Sequence, residues 1–201
     1  MKALLRALVL TDAFRRSSAP DDAAIARDPA NDLLARMRVR RLEAEPLRDT
    51  CLALSGRLDL RSHGPGDNAL AAPKEQVRRS VYLTIRRNAL SPFLTTFDGP
   101  KPFTTVGRRD ATNVPAQSLT LLNDPFVIET ARGWAARLDP AASDDARIET
   151  LFRAALARPP NAREAAAAKR YLDDLRTQTD AHPWPDLAQS ILNLKEFLYV
   201  R

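Results

Sequence analysis

From Gln117 onward, apolar residues recur every three or four positions, the spacing that gathers side chains on one face of a helix. Gln117 to Asn123 reads as a short turn of helix. Asp124-Pro125 then restarts the helix, with Asp as N-cap and Pro at the first helical position. Val127, Ala131, Trp134 and Leu138 fall on one stripe of it. Ser143 caps the next helix, where Ile148, Leu151, Phe152 and Ala155 repeat at i, i+3, i+4 and i+7 until Arg158-Pro159-Pro160 stops it. Asn161 followed by Glu164 has the form of a capping box and leads into Ala168, Tyr171, Leu172 and Leu175. A last helix over 186–198 carries Leu187, Ile191, Leu194 and Leu198. Four helices with short connections predict a bundle that buries these stripes against each other.

Upstream, the pattern breaks up. Residues 2–14 read as an amphipathic helix that begins without a cap and ends at the polar run Arg15 to Ser18 and Pro20. An uncapped start predicts a fragment, or a chain whose upstream portion has been lost. Ala19 to Asp32 reads as loop and Leu33 to Met37 as a short helix. A longer helix covers Leu42 to Leu58, its regular part starting near Glu45 because proline at 46 suits only a first turn. Gly56 weakens that helix, and the turn formers from Ser62 to Asn68 predict an exposed loop. Val81 to Ile85 alternates as a strand does, with Val81, Leu83 and Ile85 on one face and Tyr82 and Thr84 on the other. A lone strand leaves backbone groups unpaired, so a partner is expected near Pro102 to Val106 or outside the chain. Pro92 to Phe97 reads as a short helix broken by Gly99-Pro100. The fold class is therefore mainly α, a helical bundle in the C-terminal half with a short strand and a long irregular segment in the middle. The expected division is 1–116, N-terminal helices plus an Arg-rich strand and loop segment, and 117–201, the bundle. Both belong to one continuous domain truncated at its N-terminus.

Composition narrows the classes. A chain of 201 residues, 44% hydrophobic and 28% charged, has the length and balance to bury a core. Its net charge of +6 suits polyanions, but no motif for reading nucleic acid accompanies it, which makes nucleic acid the weakest partner class. A single cysteine excludes an internal disulfide, a zinc cage and a CxxCH haem attachment. Cys51 shares its helical face with Leu47, Leu54 and Leu58, so it reads as a small core residue. No run approaches the roughly 18 apolar residues of a membrane span. Arg6 interrupts the apolar start, and no small-residue cleavage site follows, against an export signal.

Several ordered blocks carry a resemblance. They are RRLEAEPLRD (40–49) with LSGRLD after it, RRSVYLTIRRN (78–88), FDGP (97–100), GRRDATNVPAQSLTLLNDPF (107–126), RIETLFRAALARPP (147–160) and NLKEFLYV (193–200). In these the chain resembles the C-terminal part of the family called domain of unknown function 1553, the PSD-one type of large planctomycete-like proteins. The resemblance implies an exported, multi-domain setting, hence a periplasmic or extracytoplasmic location. It also implies an upstream companion domain as partner, and a cytochrome c-like haem held in that upstream part of relatives. This sequence departs from the pattern in having no haem motif, no export signal and no upstream half, so no cofactor is expected in this chain. Val106 also stands where the family pattern carries a cysteine.

Six arginines, Arg78, Arg79, Arg86, Arg87, Arg108 and Arg109, allow two readings. Converging, they would seat a planar oxyanion such as a sulfated or uronic glycan. Paired with Glu43, Glu45, Asp49, Asp98 and Asp110, they would tie a loop-rich segment to its helices, and this structural reading is preferred. Glu45 and Asp49, four apart, share a helical face; a mixed-charge ladder there reads as a clamp rather than as an acid–base pair. His63 and His182 are lone loop histidines, read as surface residues. Trp134, Trp184, Tyr82 and Tyr199 read as packing before a sugar platform, and Glu196 with Asn193 and Gln117 as a polar network at the bundle's end. No catalytic or metal-binding constellation stands out. The expectation leans away from an enzyme, toward a scaffold or interaction module. The alternatives are an extracytoplasmic domain that binds or acts on acidic polysaccharide and, after it, a nucleic-acid binder.

Overall fold

The computed structural model of the protein describes residues 1–19, 21–103, 105, 107–177 and 183–200; His182 and Val106 lie outside these. In chain order the elements are α1 (Lys2–Val9), α2 (Asp12–Arg15), α3 (Asp22–Arg27), β1 (Arg40–Arg41), α4 (Ala44–Leu54), β2 (Asp67–Asn68), and β3 (Leu83–Thr84) after a 3-10 turn at Ser80–Tyr82. There follow α5 (Pro92–Thr96), α6 (Pro115–Asn123), α7 (Pro125–Ala135), α8 (Asp144–Leu156), α9 (Ala162–Arg176), α10 (Pro183–Leu192), α11 (Lys195–Leu198) and β4 (Tyr199–Val200). The fold is mainly α, with strands of two residues each among the described residues. It divides into two compact units, Met1–Arg41 with Tyr199–Arg201, and Leu42–Leu198.

The first unit holds α1, α2, α3 and the antiparallel pair β1–β4, in which Arg40 faces Val200 and Arg41 faces Tyr199. The predicted helix over 2–14 is split at Thr11. The Thr11 hydroxyl donates to Leu8 O and accepts the Phe14 N–H, so it ends one helix and caps the next. The helix expected at Leu33 to Met37 does not form. Asp28 takes the N–H groups of Asp32 (2.9 Å) and Leu33 (2.7 Å), while the Asn31 carboxamide bridges the backbone N–H and C=O of Arg36. These side-chain bonds take the place of helical ones, and they hold Asn31 and Leu34 at positive φ. Asp28 and Asn31 are the buried side chains of this unit, and among its described residues no apolar side chain is buried.

The second unit has the core. α10 packs against α6, α7, α8 and α9, burying Leu187, Ala188, Ile191 and Leu192. Facing them are Val127, Ala131 and Trp134 of α7, Ile148, Leu151 and Phe152 of α8, and Leu172 of α9. The caps form where the sequence predicts them: Asp124 accepts the Phe126 N–H, Ser143 the Ala146 N–H, and Asn161 with Glu164 closes a complete capping box. The helix predicted over 186–198 is two. Asn193 N–H bonds both Gln189 O and Ser190 O, tightening the turn before α11. Tyr171 and Leu194 end at the edge of their stripes, exposed.

The strand expected at Val81 to Ile85 is shorter and differently paired. Its first part is the 3-10 turn, because Ser80 is drawn onto α4 and Tyr82 N–H bonds Arg79 O. Leu83 and Thr84 pair in parallel with Asp67 and Asn68; of the segment expected as partner near Pro102 to Val106, Thr104 and Val106 lie outside the described residues. α4 runs from Ala44 with Pro46 in its first turn, and Gly56 follows it at φ +72°. The left-handed φ is what calls for glycine there; a Cβ would also crowd the Arg137 guanidinium, a flexible group able to move aside.

Candidate functional site

Everything in this region starts from α4. Ala44, Leu47, Cys51 and Leu52 make its buried stripe, and Arg48 sits within that stripe at 1% exposure. Its guanidinium donates to Gln76 O (2.8 Å), Arg78 O (3.0 Å) and Ser80 Oγ (3.2 Å), and lies 5.5 Å from the centre of the Phe126 ring. Burial pulls the Arg48 pKa below the ordinary arginine value, and Asp49 and Asp67 oppose that shift. Asp49 accepts both the N–H and the O–H of Ser80 at 2.7 Å. Cys51 is fully buried, which pushes its thiol up to about 12 and keeps it protonated.

Arg78 repeats the device thirty residues further along the chain. It donates to the carbonyls of Pro65 (2.8 Å) and His63 (2.6 Å), more weakly to Arg61 O, and to Asp67 Oδ1 at 3.3 Å. Its guanidinium carbon stands 4.0 Å over the Tyr82 ring, and the Tyr82 hydroxyl in turn accepts the His63 N–H. That bond lowers the Tyr82 pKa. Between Arg61 and Ser80 the carbonyls of Arg61, His63, Pro65, Gln76 and Arg78 are thus taken by arginine forks.

Between α4, the 3-10 turn, β3 and α5 opens a cleft of about 670 Å³. Leu58, Val81, Leu83, Ile85 and Leu94 form its apolar floor; the face predicted for Val81, Leu83 and Ile85 is the one that lines it. Glu43, Glu45, Asp49 and Arg79 stand at its rim. Arg79 Nε lies 3.6 Å from Asp49 Oδ2. One nitrogen of Arg109 donates to both Glu43 (2.9 Å) and Glu45 (2.8 Å), and these bonds, Glu45 foremost, raise the Arg109 pKa.

Of the nine predicted residues, Arg79, Arg109, Glu43, Glu45 and Asp49 come together here, while the Arg78 guanidinium is held by the neighbouring 61–67 loop. The other three join neither. Arg86 and Arg87 lie on a turn closed by Ala89 N–H to Arg86 O, with Arg87 5.7 Å over the Phe103 ring, and Arg108 is exposed. None of these three makes an ion pair among the described residues. Asp98 accepts the N–H and hydroxyl of Thr112. Gln117 donates to Thr96 O and Thr112 O, and Glu196 pairs with Arg158. Trp134 is core, and Trp184 lies under Arg147. Arg48 and Ser80 were missed as members of this site. The signal for Arg48 was present, since positions 44, 47, 48, 51 and 52 are one unbroken core stripe.

Among the described residues no group of three or more His, Cys, Asp or Glu side chains is placed to hold a metal ion, and no helix is long and apolar enough to cross a membrane. Residues 1–172 match the family model described as "Protein of unknown function (DUF1553)". No curated protein and no solved structure matches the chain.

Proposed function

The chain belongs to the DUF1553 family, and from that premise we propose that it is a non-catalytic interaction module which docks a companion domain through α1 and α2. One observation carries the reading. The first unit buries no apolar side chain among its described residues, while Leu4, Leu5, Leu8, Val9 and Phe14 stand at least 43% exposed. On α1 the leucines and Val9 make one stripe, with Lys2 and Arg6 along its border. An amphipathic helix with a bare apolar face calls for a cover, and a unit without an apolar core gains its stability from whatever supplies one.

The test is co-expression of this chain with the companion domain that the family setting implies, followed by light scattering on the eluted species. The expected result is a one-to-one complex. Leu4→Asp with Leu8→Asp is expected to weaken it about a hundredfold or more, because two leucine burials of roughly 1.5 kcal/mol each are lost. Both positions are exposed, so the helical circular dichroism of the isolated chain stays unchanged. Separate elution of the two wild-type partners at high concentration overturns the reading.

A further inference from the structure

We propose that the cleft floored by Val81, Leu83 and Ile85 is a second docking site, taking a short peptide segment of branched apolar residues that carries one basic side chain. Its volume of about 670 Å³ lies in the range of formed ligand pockets, roughly 300 to 1,000 Å³. Its floor runs without interruption from core to solvent: Leu83 is 6% exposed, Ile85 40% and Val81 72%. Branched residues along one wall, left in water at the outer end, are the complement of branched side chains on a partner.

The rim decides the charge of that partner. Three carboxylates, Glu43, Glu45 and Asp49, stand there with two guanidiniums: Glu43 and Glu45 share a single nitrogen of Arg109, and Asp49 lies 3.6 Å from Arg79. The Glu43 side chain is 62% exposed and stays within reach of an incoming cation. A lysine or arginine beside an apolar anchor meets an attractive edge there, and an acidic residue meets a repelling one. The walls are fixed before binding. Asp49 holds the Ser80 N–H and O–H, and Arg48 holds the carbonyls on either side of Val77. A preformed cleft loses little ordering entropy when it is filled. None of this involves α1, so the site stands or falls independently of the docking proposed above.

The experiment is fluorescence anisotropy on the full chain with three labelled peptides: a valine- and leucine-rich peptide with one central lysine, the same peptide with glutamate for the lysine, and one with serine for every apolar residue. The lysine peptide is expected to bind, the glutamate peptide about tenfold more weakly, and the serine peptide not at all. Val81→Asp, at an exposed position that leaves folding intact, abolishes binding. Glu43→Lys reverses the preference between the lysine and glutamate peptides. Leu4→Asp with Leu8→Asp leaves binding unchanged, which separates this site from α1. The proposal is overturned if the folded chain binds none of the peptides, if lysine and glutamate peptides bind equally, or if Val81→Asp binds as the wild type does.

Discussion

A buried guanidinium is tolerated when its hydrogens find acceptors, and Arg48 meets that condition with two backbone carbonyls, a hydroxyl and the nearby carboxylate of Asp49. Replacing it with methionine keeps the volume but strands the Gln76 and Arg78 carbonyls in the core. Arg48→Met is expected to destabilise the fold by about 3–5 kcal/mol, the cost of removing one partner from a buried charged network. Urea unfolding followed by circular dichroism measures it. Arg48→Lys recovers only part, because an ammonium cannot reproduce the fork. The core position of Arg48 was legible in the stripe of α4. Its acceptors were not, since Arg78 lies thirty residues away and no local pattern encodes that meeting. Cys51 was legible in full, because burial on an apolar stripe is all that its position requires.

Elements whose signals are local were readable in advance, and those that depend on distant partners were not. The Asp124, Ser143 and Asn161 caps each act within three residues, and each is present. Asn161→Ala is therefore expected to lower stability by about 1 kcal/mol, and Asn161→Gly by only a few tenths, as read from thermal melts of the two variants. The 81–85 strand and the 33–37 helix failed for a shared reason. Ser80 answers to Asp49 on another element, and the backbone after Asp28 answers to the side chains of Asp28 and Asn31 rather than to helical spacing. The sequence points to a β3 partner near Pro102 to Val106 or outside the chain, whereas the parallel pairing with Asp67 and Asn68 comes from the loop that Arg78 gathers.

At the scale of the whole molecule, several carboxylates titrate below their ordinary values. Glu164 is held down chiefly by the hydrogen bonds of Arg158, Asp28 by the N–H of Leu33, and Asp59 by its bonds to Arg61. A carboxylate with a folded pKa below its unfolded one stabilises the fold fully above the unfolded value, and that contribution fades as pH falls through the folded value. Stability is therefore expected to hold from pH 7 to about 5 and to decline below. In Glu164→Gln the decline is shallower, so the gap between wild type and variant closes as acid is added. Denaturant midpoints across that range check it; a gap that widens toward low pH contradicts it. Not every fastening behaves this way. The loop from Arg61 to Asp67 is wrapped around Arg78 mainly by amide oxygens, which do not ionise. Arg78 serves that loop as a calcium ion serves others, except that this cation is stitched into the polypeptide: no chelator strips it, no dilution releases it, and acid leaves most of its coordination shell in place.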